Sequence, residues 1–577
     1  MGGFLFLAKN GADDLQSTRR KYSHSIDAMQ RKGLTLKGTI ERDNFVVFLY
    51  NKAAYSNDNV RHFDNGDFIL CSGTLFYRNR IGNEALEMLY DEFYGEGALF
   101  SHLQGHYCVL LFKGGYLYTF NDLNGLYHVY HDEKPSVISN SFLAVAKSLE
   151  KRTVAEQELY EFVSHGAMYG DRTFIAEVKR LDSVHIHQLQ PEHSLIPKVI
   201  ETDPFNENWP FDEQVDFFVD RLQDHFRMLR SHWGDSVGSA LTGGYDSRLV
   251  VSLLRKVGIS PHLYIYGAHG DEDVRVAKAI AEAEGFPIRH FDKPGYPQVS
   301  VEEFPNAVEA RFHLLDGQGV DGVFDNGTDV LTRRERSGLA ALQLNGGGGE
   351  IFRNFWKLPD IPMKIGSFLK NRYAGADFSA YRNRFNKRRY LSTLTEKIKH
   401  ILNTTSETIT RRQAEMLYIS LRLRYWMGQN NSCNNVLSYA LTPLAEPVFS
   451  IPSSSIPLRY KNLGLLEAAM IRRIDERLAS HKSIYGGDFL HPVPFKYKLK
   501  EFTLIRFPIA LRPPVIRFAE GWMARTPIPF YLSEEYVGEI LDWNSLEISR
   551  YMDVEKLRNH GMLNRALTAE LVITDRF

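Results

Sequence analysis

Short apolar runs punctuated by turn residues fill the first part of the chain. Positions 45–50, 68–71, 107–112 and 116–120 are rich in Phe, Val, Leu and Tyr and too short for helices, so they predict strands. Helical spacing is rarer there and clearest over 84–93. Around Pro191, Pro197 and Pro204 the pattern dissolves into mixed charge, which predicts a linker, placed at 201–210. Beyond it Val215, Phe218, Leu222, Phe226 and Leu229 mark an amphipathic helix. Then the period alternates. A buried strand over 235–241 leads to a helix carried by Leu249, Val250, Leu253, Leu254 and Val257 and stopped by Gly258. A strand over 263–266, a helix over 272–283 and a strand over 288–291 follow. Such alternation builds a parallel sheet, whose ligands sit at the carboxyl ends of the strands. A further strand is predicted over 339–344, and a helical run over 554–571.

The chemistry gathers where strand 235–241 meets its helix, in Leu241-Thr242-Gly243-Gly244-Tyr245-Asp246-Ser247. Two glycines let the backbone turn tightly and aim several N–H groups at one point, at a helix N-terminus that already favours negative charge. Such a nest suits a polyphosphate, and an acid beside phosphates, Asp246, implies magnesium. The lysine of a Walker loop is missing, so Thr242, Ser247 and the backbone would share the phosphates. The same residues also fit an ordinary Gly-Gly turn with an Asp helix cap. A second glycine-rich stretch, Asn345-Gly346-Gly347-Gly348-Gly349-Glu350, follows strand 339–344 and gives backbone room for a ligand beside a carboxylate. Gly267 and the acids Asp271, Glu272 and Asp273 fall at the same rim, although acids opening a helix commonly serve as caps.

Thr242-Gly243-Gly244-Tyr245-Asp246-Ser247 resembles the Ser-Gly-Gly-x-Asp-Ser loop of ATP-pyrophosphatase enzymes, asparagine synthetases among them, with Thr242 in place of serine. The first half adds Gly105-His106-Tyr107, the stretch from Asn121 to Tyr130, Ser139-Asn140-Ser141 and Tyr169-Gly170-Asp171-Arg172-Thr173-Phe174, whose order and spacing resemble the glutaminase domain of asparagine synthetases. The resemblance implies an α+β N-terminal αββα sandwich of the N-terminal-nucleophile-hydrolase type over 1–200 and, over 211–577, an α/β parallel-sheet PP-loop domain, adenine nucleotide α-hydrolase-like, with a helical C-terminal elaboration. It also implies ATP and Mg2+ as cofactors, Asp246 and Glu350 as metal ligands, and Leu241, Thr242, Gly243, Gly244, Tyr245, Asp246, Ser247, Gly267 and Gly347 around the nucleotide. Lys482 opens Lys482-Ser483-Ile484-Tyr485-Gly486, similar to the segment whose lysine steadies the leaving pyrophosphate; Lys496 and Lys498 are rivals. Glu350 would act on the metal or the amine.

The departures are as informative as the matches. Glycine stands at position 2, where the family has its nucleophilic cysteine, and the internal Cys71 and Cys108 lack the terminal amine that would serve as base. Ser72-Gly73-Thr74 replaces the glutamine-contacting Asn-Gly-Glu, and Gly349 falls where the family places a metal-binding aspartate. The expectation is an asparagine synthase-like ligase without glutaminase activity. It would adenylate a small-molecule or peptide carboxylate, release pyrophosphate and pass the acyl group to ammonia or a substrate amine, as β-lactam synthetases and lasso-peptide cyclases do within one molecule. An ammonia-dependent asparagine synthetase and a non-catalytic scaffold or regulatory protein are the alternatives.

Composition narrows the partners. At 577 residues the chain is long enough for two to four domains, and 44% hydrophobic residues suffice for their cores. With 69 basic against 70 acidic residues no global field draws it to nucleic acid or membrane. The cluster Arg382, Arg384, Lys387, Arg388 and Arg389 keeps an RNA-directed variant in view, but fits a solvated helix face better. Cys71, Cys108 and Cys433 are spaced for neither zinc nor a disulfide framework, which suits a reducing cytoplasm. No apolar run reaches the ~18 residues of a membrane span, the opening residues show no secretion signal, and Gly2 lacks the serine or threonine context of myristoylation. Oligomeric state is not written in these features.

Overall fold

A computed structural model describes residues 1–9, 14–55, 59–95, 97–201, 204–373, 378–382, 384–512, 515 and 527–577. Thr202 and Asp203 of the expected linker, and the Pro513-Pro514 pair, lie outside them.

Among the described residues, twelve strands precede the linker: β1 (Gly3–Ala8), β2 (Leu36–Glu41), β3 (Phe45–Tyr50), β4 (Val60–His62), β5 (Phe68–Tyr77), β6 (Leu103–Lys113), β7 (Tyr116–Asn121), β8 (Tyr130–Asp132), β9 (Val137–Ser139), β10 (Val178–Arg180), β11 (His185–Gln190) and β12 (Ser194–Pro197). They form two six-stranded antiparallel sheets, ordered β10-β8-β9-β1-β3-β2 and β12-β11-β7-β6-β5-β4. Phe4, Phe6, Val47 and Leu49 of the first sheet pack against Phe68, Leu70, Cys108 and Leu110 of the second. The other face of the second sheet takes Ala85, Leu86 and Leu89 of the helix Gly82–Glu92. Full burial of each such aliphatic or aromatic side chain contributes about 1.5–3 kcal/mol.

β5 runs well past the predicted end at Cys71, through Ser72-Gly73-Thr74, and pairs with β6 from Phe68↔Phe112 to Tyr77↔Leu103. Turn-forming residues sit inside a strand here because the opposing backbone comes too close for a side chain. A Cβ on Gly73 would meet the His106 carbonyl oxygen at 2.3 Å, and one on Gly105 that of Thr74 at 2.2 Å.

After the helix Phe211–Trp233 come β13 (Val237–Ala240), β14 (His262–Tyr266), β15 (Ile288–Phe291), β16 (Leu342–Leu344), the short pair β17 (Met363–Lys364) and β18 (Thr408–Ile409), and β19 (Tyr439–Leu441). The sheet order β15-β14-β13-β16-β19 is parallel throughout. The chain fills one side with β14 and β15 before crossing to β16, so the order reverses at β13. A crevice opens between the carboxyl ends of β13 and β16, the place such sheets bind ligands. Both glycine-rich stretches lie there. β16 is shorter than predicted because the helix Thr328–Leu339 takes up its expected first residue. The predicted helix over 554–571 begins at His560, capped by the Asn559 side chain on Met562 N–H.

Polar groups tie the two parts together. Gly105 N–H donates to Glu446, Lys52 Nζ to the Asn435 carbonyl at 2.7 Å, Asn124 Nδ2 to the Ala445 carbonyl at 2.7 Å, and Thr442 N–H to His106 Nε2 at 2.9 Å. Among the described residues no helix is long and apolar enough to cross a membrane.

Candidate functional site

Leu241, the residue after β13, is fully buried, and Thr242-Gly243-Gly244 carry the chain into the helix Tyr245–Lys256. The loop has the expected shape, but its donors are already engaged. Thr242 N–H donates to Ser247 Oγ at 2.9 Å, Gly243 N–H to Asp273 Oδ1 at 3.0 Å and Gly244 N–H to Thr242 Oγ1 at 3.2 Å. Asp273, grouped with the helix-opening acids in the sequence, thus supplies the acceptor for a loop N–H. Ile484 covers the loop from outside: its N–H donates to the Gly243 carbonyl at 3.2 Å, and a Cβ on Gly243 would lie 2.5 Å from Ile484 Cγ2. Tyr245 is packed away, its ring stacked on Tyr485 and Phe489 at 4.6 and 4.4 Å and its hydroxyl donating to the Leu463 carbonyl.

Asp246 lies at the centre of a charged cluster. Arg353 Nη2 donates to both of its oxygens, at 2.6 and 2.7 Å, while Arg353 Nε pairs with Glu467 Oε2 at 2.9 Å. Arg353 Nη1 reaches the Tyr485 hydroxyl at 3.3 Å. One guanidinium therefore stands between two carboxyl groups, of which Glu467 is wholly buried. Burial, with Asp246 close by, pushes the Glu467 carboxyl well above the usual range; burial also raises Asp246, and Arg353 opposes that rise. Gly349 backs onto this pair so closely that a Cβ there would stand 2.3 Å from Asp246 Oδ1 and 2.8 Å from Glu467 Oε1. Glu350 accepts from the Tyr418 hydroxyl at 2.7 Å and from Gly348 N–H at 3.1 Å.

Magnesium takes six oxygen ligands in near-octahedral array. At this point both Asp246 oxygens face a fixed cation, one Glu350 oxygen holds two protein donors, and Gly349 has no side chain to offer. Among the described residues no group of three or more His, Cys, Asp or Glu is arranged to hold a metal ion. The residues present do not fit magnesium.

The remaining expected site residues divide. Gly347 stays at the cluster, its N–H donating to Asn345 Oδ1, with no room for a Cβ beside Met427 Cε at 2.3 Å. Gly267, at φ 139°, is held by Asp271, which accepts from Ala268 N–H at 2.8 Å, so Asp271 is a turn-forming acid. Lys482 departs from expectation. Its side chain is exposed in an open depression of about 340 Å³ shared with His481 and the outer face of the helix Glu272–Glu284, while its carbonyl accepts from Arg248 Nη2. Its carbonyl, not its ammonium, is what the fold uses, because Arg248 is fully buried and needs acceptors. Lys496 and Lys498 sit on the separate helix Phe495–Arg506.

The first part of the chain keeps no room for an N-terminal nucleophile. A Cβ on Gly2 would meet the Asn51 carbonyl oxygen at 2.6 Å, Leu34 Cδ2 at 2.7 Å and Lys52 Cα at 2.8 Å. Thr74 donates to Asn435 Oδ1 and Ser72 bonds the Tyr127 hydroxyl, so the polar side chains of Ser72-Gly73-Thr74 are engaged within the fold. Cys71 and Cys108 are buried, and burial pushes both thiols up to about 12, leaving them unreactive. In the basic stretch Arg384 pairs with Glu156 at 2.9 Å and Arg382 Nε donates to the Ser549 carbonyl, while Lys387, Arg388 and Arg389 are exposed at a helix start.

No family model matches the chain, and no curated protein matches it. Among solved structures it is similar to the allosteric regulatory enzyme of purine biosynthesis, at 12% identity and a TM-score of 0.23, over 52% of this chain and 68% of that one. It is also similar to the glutamine phosphoribosylpyrophosphate amidotransferase from B. subtilis complexed with ADP and GMP, at 12% identity and a TM-score of 0.22, over 50% of this chain and 65% of that one. Likeness of this degree assigns no activity.

Proposed function

We propose that this chain is a non-catalytic regulatory or scaffolding protein on an asparagine synthase-like frame, an N-terminal-nucleophile-type αββα part without glutaminase function joined to a PP-loop part that does not run magnesium-ATP chemistry. The observation that carries this reading is Arg353, which occupies both oxygens of Asp246 and the flank of Glu467. A guanidinium brings one positive charge and no open coordination position, so it can balance the carboxylate but cannot bridge it to phosphate oxygens as a metal does. The loop's own hydroxyls and Asp273 satisfy the N–H groups that polyphosphate would need, and Ile484 covers them. Losing the Gly2 and Gly349 positions to packing fits the same account.

The ligase reading keeps one observation in its favour: both glycine-rich loops lie at the switch point of the parallel sheet, where that chemistry would be expected. The test is direct. The protein is incubated with magnesium-ATP, ammonium and aspartate, then with mixtures of larger carboxylates and amines, and AMP is measured. The expected result is no AMP beyond a protein-free control. AMP formation abolished by Asp246→Ala would restore the ligase, and restriction to ammonium plus aspartate would make it an ammonia-dependent asparagine synthetase.

A further inference from the structure

A second feature opens off the same crevice, lined by Asn345 of the second glycine-rich stretch but by none of Asp246, Arg353 and Glu467. A cavity of about 390 Å³ opens beside Ala240 of β13, Tyr266 of β14 and Leu344 of β16, walled by the helices Thr328–Leu339 and Gly428–Leu437. Its lining is unusually cationic. Lys293 Nζ and Arg333 Nε share the one lining carboxylate, Asp329, at 2.7 and 2.9 Å. Arg336 has no carboxylate: it donates to the Tyr264 hydroxyl at 3.0 Å and to Asn434 Oδ1 at 3.1 Å, both neutral acceptors. Just behind, Arg311 stands between Asp325 and Asp329, at 3.8 and 3.4 Å, so Arg311 and Asp325 add one charge of each sign and leave the excess unchanged.

The polar satisfaction is incomplete as well. Arg336 is 9% exposed and Asn431 0%, yet Arg336 Nε and Asn431 Nδ2 have no hydrogen-bond partner. Two uncompensated positive charges and two orphaned donors in a poorly solvated cavity are costly for a folded protein. Gln343 Oε1 on the same lining is an orphaned acceptor, but the excess charge and the two orphaned donors would be met by an acceptor carrying negative charge, leaving Gln343 to take a hydroxyl or a protonated oxygen of the ligand. The volume falls in the range of small-molecule sites, planar guanidinium groups match carboxylate and phosphate oxygens, and the Tyr264 and Tyr266 rings give the remainder of a ligand an apolar wall.

We infer that this cavity binds a small organic dianion, a dicarboxylate or a phosphomonoester, held by Lys293, Arg333 and Arg336 with Asn431 Nδ2 as a neutral donor. Such a site gives the protein a small-molecule input that needs neither metal nor hydrolysis, and it stands whether or not the neighbouring loop handles nucleotide.

The test titrates the full-length protein with succinate, glucose 6-phosphate, inorganic phosphate and uncharged glucose, reading heat of binding and the shift in apparent Tm. Succinate or glucose 6-phosphate is expected to bind with Kd below about 1 mM, glucose not at all, and Arg336→Met to weaken binding at least about tenfold. Which organic anion binds separates the two chemical sources, and inorganic phosphate binding as tightly as either would contradict an organic ligand. Because Arg336→Met removes an uncompensated cation, it is expected to fold without anion; Lys293→Met provides a second variant with the same expected loss. Absence of binding by both organic anions, or equal binding by wild type and both variants, overturns the inference. Neither result bears on AMP formation, which probes Asp246 instead.

Discussion

Replacing Arg353 by alanine is expected to destabilise the protein by about 3–5 kcal/mol, since it strips the paired cation from Asp246 and from the wholly buried Glu467 rather than removing a surface contact. In a chain of this size the measurement is the apparent Tm of the unfolding transition that includes the parallel sheet, expected to fall by about 5–15 °C. The coupling is the sharper test. Arg353 pairs with both Asp246 and Glu467, and the nearby Asp246 raises the proton affinity of Glu467. Glu467→Gln in the Arg353→Ala background removes one of the two stranded acids, so the double variant is expected to be more stable than Arg353→Ala alone by at least about 1 kcal/mol. An Arg353→Ala protein within about 0.5 kcal/mol of wild type would mean that the guanidinium is not holding the cluster together.

Glu446 is expected to make the joint between the two parts of the chain pH-dependent. Its carboxyl is fully buried and accepts Gly105 N–H at 3.2 and 3.1 Å, and burial, reinforced by Asp122, pushes it up from 4.5 to about 8. At pH below 4.5 folded and unfolded chains both carry the proton, and the group adds no pH dependence. From 4.5 to about 8 the unfolded chain gives up the proton while the folded chain keeps it, so stability falls as pH rises; above 8 the loss is constant. Across that window the loss is about 5 kcal/mol, from about 1.4 kcal/mol per unit. Glu446→Gln keeps an acceptor for Gly105 and cannot ionise. Wild type minus variant, measured by denaturant unfolding, is expected to become less favourable by that amount between pH 4.5 and 8.5. A difference that stays flat with pH would contradict the assignment.

Residue pattern alone carried the architecture a long way. The alternation of apolar strands and amphipathic helices from Val237 to Phe291 is local, so a parallel sheet with Thr242-Gly243-Gly244 at its carboxyl edge could be read directly from it. The antiparallel strands were equally legible where they ran as apolar blocks, but β5 was cut short because Ser72-Gly73-Thr74 has turn chemistry, and only pairing with β6 shows why small residues are needed there. β19, three residues long, carries no periodic signal at all.

The state of the site was not legible, because it depends on contacts distant in sequence. Asp246 meets Arg353 across 107 positions, and nothing in the stretch Ile351-Phe352-Arg353-Asn354 distinguishes that arginine from a surface one. Asp273 was visible only as one of three acids at a helix start, although its carboxylate accepts Gly243 N–H. Lys482 had the right neighbours in sequence and the wrong direction in space, since the buried Arg248 claims its carbonyl and leaves the ammonium at the surface. A motif specifies the path of the backbone more firmly than the charges that end up against it.

The measurement that bears most directly on the closed site is thermal unfolding of wild type and Asp246→Ala with and without magnesium-ATP. A ligand bound by the folded chain must raise its stability, by about 2.7 kcal/mol at a hundredfold excess over Kd. With Arg353 on Asp246 and the loop N–H groups internally bonded, the apparent Tm of wild type is expected to stay unchanged up to millimolar magnesium-ATP. A magnesium-dependent rise in wild type that is absent from Asp246→Ala would contradict the closed site and return the chain to the ATP-using ligases.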